Sequence, residues 1–99
     1  MANSVFGSGI SGYQAVASAG TAEALAADNG RRYKSIAIVA EGTNTGFIYV
    51  GGSDVSSSTN IGLAGGDVLP LSSSHGWLLS DIYVDCSVSG DGVDFYGVY

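Results

Sequence analysis

Short apolar runs broken by glycine, serine, asparagine and aspartate fill most of this chain. Within the runs, side chains alternate in the manner of strands, where neighbours point to opposite faces. Over residues 33–40, Ile36, Ile38 and Ala40 share one face and Ala37 and Val39 the other, which predicts a strand. Residues 41–46 (Glu-Gly-Thr-Asn-Thr-Gly) tolerate positive φ or bond their own backbone, so a turn is expected there. Residues 47–50, aromatic and β-branched, read as the returning strand of a hairpin. A second hairpin is expected near the end. Residues 82–88 place Ile82, Val84 and Cys86 inward, with Tyr83, Asp85 and Ser87 on the other face. Residues 89–92 carry the Asp91-Gly92 turn signal, and 93–99 form the last strand.

The remaining segments are less regular. Residues 1–12 are small and polar without periodicity and read as a flexible N-terminal arm, leaving 13–99 as one domain. Over 13–27 a strand at 13–18, a turn at Ala19-Gly20 and a second short strand are expected, because Asn29-Gly30 closes any helix too early. Residues 51–60 form a polar loop, 61–63 a short strand, and 68–71 a strand that Pro70 confines to an edge or an end. Residues 72–76 read as a second loop, after which Trp77, Leu78 and Leu79 re-enter the core. Six to eight short strands without a useful helix predict an all-β fold, a small β-sandwich or jelly-roll-like barrel.

Composition narrows the function. At 99 residues the chain makes one domain with a thin core, since alanine and glycine supply much of its apolar content. Self-association or docking on a partner is therefore expected to add stability. Nine carboxylates face three cations, and those cations, Arg31, Arg32 and Lys34, fall in one segment. Such a chain has no basic footprint for nucleic acid and no polybasic or amphipathic face for a membrane. The trio is expected to be solvated or paired with an acidic neighbour. The first residues lack the basic and apolar regions of a signal peptide, and no run is long enough to span a bilayer, so folding in the cytoplasm is expected.

No combination of residues suggests catalysis, and the chain is read as a structural or binding module rather than an enzyme. His75 and Cys86 are the only residues of their kinds, with Cys86 at an inward position and His75 in a Ser-Gly loop. Asp81, Asp85, Asp91 and Asp94 lie close in sequence but read as turn-forming or strand-ending residues. One histidine and one cysteine cannot make a zinc site, and no glycine pair is followed by the lysine of a phosphate loop, so no cofactor is expected. Six tyrosines and Trp77 are the notable excess, and Tyr96 and Tyr99 are candidate interface anchors.

The order of three segments carries a resemblance: Phe47-Ile48-Tyr49-Val50-Gly51-Gly52-Ser53-Asp54-Val55, then Ile61-Gly62-Leu63-Ala64-Gly65-Gly66-Asp67, then Leu79-Ser80-Asp81-Ile82-Tyr83-Val84-Asp85. Over about residues 31–99 the chain resembles small β-sandwich proteins encoded among the virion genes of tailed phages. The resemblance implies a capsid decoration, or cement, protein on the outer capsid surface. It also implies the major capsid protein as partner and a homotrimer as the assembled form. It supplies no catalytic residues. On this reading the gripping parts are the arm, with Val5, Phe6 and Ile10, and the loop 51–60. Arg31, Arg32 and Lys34 would meet an acidic capsid, and Tyr96 and Tyr99 would anchor the contact. The competing reading is a carbohydrate- or receptor-binding module of a tail or head fibre, with Trp77 as its stacking surface.

Overall fold

A computed structural model describes residues 9–58, 60 and 62–99. Among them are seven strands: β1 (Gly9–Ala15), β2 (Glu23–Ala24), β3 (Tyr33–Ala40), β4 (Ile48–Gly51), β5 (Val68–Trp77), β6 (Tyr83–Cys86) and β7 (Gly92–Val98). The only helical piece among the described residues is a single 3-10 turn, Leu79–Asp81. The fold is all-β. One antiparallel sheet runs β1-β7-β3-β5, and a second runs β2-β6-β4. Both sheets are open, and they enclose one apolar core as a small sandwich, not a closed barrel.

Odd-numbered strands form one sheet and even-numbered strands the other, so each connection along the chain crosses between sheets. This overturns both expected hairpins. β3 pairs with β5 and β7 while β4 pairs with β6, and β6 and β7 lie in different sheets. Turn residues specify that the chain reverses; they do not say whether the returning strand lies beside its predecessor or across the core from it. Burial decides that. Ile36, Ile38 and Ala40 of β3, Ile48 of β4, Val84 and Cys86 of β6, and Val93 and Phe95 of β7 all enter one cluster. Placing successive strands on opposite walls lets each present its apolar side to that cluster.

Of the arm expected over residues 1–12, residues 1–8 lie outside the described residues, and residues 9–12 belong to a strand. Gly9–Ala15 pairs along its length with β7, from Gly9 opposite Val98 to Ala15 opposite Gly92. Gly12 makes the docking possible: a Cβ there would collide with the Phe95 ring. The strand expected at 13–18 thus starts earlier and ends at Ala15. The short strand expected within 21–27 is present as β2.

Residues 72–76 also differ from expectation, because they continue β5 instead of leaving it as a loop. The pairing is irregular there. Ser72 lies opposite Ser35 and Trp77 opposite Tyr33, so residues 73–76 bulge out across from Lys34 alone. Gly76, at φ +80°, permits the return into register. Pro70 sits on β5, an edge strand, as its missing N–H requires. At 61–63 the strand is reduced to a bridge between Leu63 and Ile48, and Ile61 lies outside the described residues.

Candidate adhesive surface

The register of the four-stranded sheet assigns every side chain on it to a face. Ile10, Gly97, Ile36 and Leu71 stand in one row across the sheet, and Gly12, Phe95, Ile38 and Leu69 in another; both rows point to the core. The alternate rows point outward. They are Gly9-Val98-Ser35-Ser72, Ser11-Tyr96-Ala37-Pro70 and Tyr13-Asp94-Val39-Val68. Asp94 is the only charged residue among these twelve positions. Four large apolar side chains stand open on them: Tyr96 and Val68 are 55% exposed, Tyr13 53% and Val98 43%.

A furrow of about 700 Å³ crosses this outer face. Its lining is the first two outward rows together with the row between them, Ile10, Gly97, Ile36 and Leu71. Small residues make it: Gly9, Ser11, Ser35, Ala37 and Ser72 leave the space that Tyr96 and Val98 wall in.

The two ends of the sheet differ in charge. At the end where β1 begins and β7 finishes lie Arg31, Arg32 and Lys34, all exposed. Arg31 stacks over the Tyr99 ring at 4.3 Å from its centroid, and Tyr99 meets the buried Tyr33 edge-on at 5.5 Å. Of the trio, Arg31 pairs with an aromatic ring, and Arg32 and Lys34 are exposed to solvent, as expected. At the opposite end, the Glu41 and Asp94 carboxyl groups are close enough to share a proton. That hydrogen bond, with lost hydration and the Asp94 charge, raises the Glu41 pKa from its ordinary value.

The loops at this second end are tied together by buried carboxylates. Asp91 Oδ1 and Oδ2 accept from the Thr45 and Gly46 N–H groups at 3.2 and 2.8 Å. Asp85 Oδ1 accepts from Gly20 N–H at 2.9 Å and from its neighbour Cys86 at 2.8 Å. Asp85 alternates outward on its strand yet is buried, because the chain at Gly20 folds over it. Both aspartates act as loop ties.

The sequence-predicted residues separate into groups. Arg31, Arg32, Lys34 and Tyr99 come together at the cationic end, and the chain enters β1 there, so Gly9 stands beside Val98. Tyr96 lies on the outer face next to them. Ile10 is part of β1 and not of a free arm: it faces inward, half-buried, and packs against the core. Val5 and Phe6 lie outside the described residues. The loop 51–60 is fastened to the sandwich, with Val55 buried and Asn60 Nδ2 donating to the Val50 carbonyl at 3.2 Å. Trp77 is half-buried against the core rather than presented as an open stacking surface.

His75 is exposed in the β5 bulge, whereas Cys86 is buried in the other sheet, its thiol pointing to the Val16 carbonyl at 3.8 Å. Among the described residues no three His, Cys, Asp or Glu side chains gather to hold a metal ion. Sequence reasoning missed Tyr13, Val68 and Val98. Their period-2 spacing is plain in the chain, but which half of each strand faces outward follows only from the pairing of β1 and β5 to their neighbours. No family model, curated protein or solved structure matches the chain.

Proposed function

We propose that this protein is a virion structural protein of the decoration type, which binds the outer surface of a phage capsid and stabilises joints between copies of the major capsid protein. The observation that carries the reading is the cationic end: an acidic chain concentrates its three cations, with Tyr99, where the polypeptide enters β1. Gly9, the first described residue, pairs with Val98 at that same end. The segments quoted for the phage resemblance add to it. Such a role needs a rigid body, solubility at high local density and an adhesive site; a net charge of −6 supplies the second.

The test is copy number and charge. Particles of the source phage are purified and the chain quantified by mass spectrometry. Stripped particles are then titrated with wild-type chain and with the Arg31→Glu, Lys34→Glu double variant. The expected result is hundreds of copies per particle, with saturable binding that weakens in salt and with the double variant. A few dozen copies or fewer would move the protein to a tail or fibre and overturn the reading.

A further inference from the structure

We infer that the outer face of the four-stranded sheet is a self-association surface, on which a second copy of this chain packs face to face and antiparallel about a two-fold axis near Tyr96 and Ala37. The inference concerns the chain free in solution and does not depend on the decoration reading.

Three observations lead to it. The first is composition: of twelve outward positions only Asp94 is charged, and four large apolar side chains are left in water. Clustered apolar exposure of this kind marks contact surfaces. The second is shape. Tyr96 stands over a furrow walled by small residues, and a rotated copy brings its own Tyr96 over the same furrow. Sheets pack face to face about 10 Å apart, close enough for such side chains to interdigitate.

The third observation selects the occupant. Along the central strands β3 and β7, Glu41 and Asp94 mark one end, and Arg32 and Lys34 the other. Rotation by a half-turn lays the acidic end of each copy against the cationic end of its partner. Parallel stacking would set acid on acid and base on base. The charge pattern is therefore complementary to itself in one orientation alone, and a second copy is the partner whose matching surface is known. An interface of this kind is isologous and closes as a dimer. A trimer needs a different patch on each side of the contact, so the inferred oligomer departs from the homotrimer that the phage resemblance implies.

Four strands at about 4.8 Å spacing and five residues at about 3.4 Å rise cover roughly 300 Å² in projection. Standard interfaces bury about 800 Å² per partner, so the association is weak and depends on concentration.

Sedimentation velocity at low salt, from about ten micromolar to about one millimolar, reads this directly. The weight-average mass is expected to rise from the monomer value of 9.9 kDa toward twice that. Tyr96→Asp, which sets a charge at the centre of the face, is expected to weaken association about tenfold or more, with an unchanged circular-dichroism spectrum. Lys34→Glu is expected to weaken it as well, and Glu41→Lys in the same chain to restore it, since the swap re-creates the complementary ends. A monomer at every concentration would overturn the inference. So would a trimer, or a dimer that Tyr96→Asp leaves intact. Stripped phage particles whose binding of the chain is lost with Tyr96→Asp, when that chain stays monomeric alone, would give the face to the capsid instead.

Discussion

The Asn44 carboxamide grips the backbone of Gly92 at both of its polar groups: Nδ2 donates to the Gly92 carbonyl at 2.9 Å, and Oδ1 accepts from the Gly92 N–H at 3.0 Å. One side chain thereby fastens the turn after β3 to the start of β7, 48 residues away. Replacing Asn44 with alanine leaves both Gly92 groups without this partner in a half-buried site. The expected cost is about 1–3 kcal/mol in urea unfolding, with an unchanged dependence on denaturant.

Gly12 and Phe95 give a test whose sign is informative. Glycine to alanine within a strand ordinarily stabilises, by about 0.5–1 kcal/mol. Here the added Cβ would meet the Phe95 ring, so Gly12→Ala is expected to destabilise by about 1–3 kcal/mol. Phe95→Leu in the same chain should recover part of the loss, as read by thermal unfolding. A stabilised single variant would mean that β1 is not seated on the sandwich as described.

Asp91 ties two sequence-distant turns through a buried carboxylate. Asp91→Ala strands the Thr45 and Gly46 N–H groups and is expected to cost about 1.5–3 kcal/mol, the range for hydrogen bonds to a charged group. Amide hydrogen exchange should show the loss first at Thr45 and Gly46, ahead of β3.

The Glu41–Asp94 contact predicts a pH dependence. The raised Glu41 pKa means that the folded chain holds this proton more tightly than the unfolded chain. The contribution of Glu41 to stability is then greatest below the ordinary glutamate range, falls as pH rises toward the raised folded value, and levels off above it. Glu41→Gln removes the dependence. The variant is expected to melt above the parent at neutral pH, with the gap closing as pH falls through that window.

Cys86 should be inert until the sandwich opens. Burial raises its thiol pKa, and the charges of Asp85 and Asp91 act in the same direction. Labelling by a maleimide is expected to run at least about a hundredfold slower in buffer than in denaturant, because it needs an opening of the core. Rapid labelling of the native chain would contradict the burial of β6.

Several strands, and the side each presents to the core, are legible in the order of residues alone. Ile36, Ile38 and Ala40 separate from Ala37 and Val39, and Ile82, Val84 and Cys86 from Tyr83, because strand geometry has a period of two and needs only neighbouring residues to reveal it. Pro70 likewise announces an edge through a donor it lacks. Partners are not legible in this way. Asn44 and Asp91 stand in turns with the composition of hairpin tips, yet both hold loops that cross between sheets, since a reversal of the chain is a local event and the choice of wall is made by the shared core. Asp85 is buried, and Ile10 packs against the core, through contacts with residues far away in sequence. The exposed apolar face arises in the same way. Tyr13, Tyr96, Val98 and Val68 come from three strands, and only the register that brings β1, β7, β3 and β5 side by side sets them on one surface. Alternation is written in consecutive residues, whereas pairing depends on which burial the whole chain can satisfy at once.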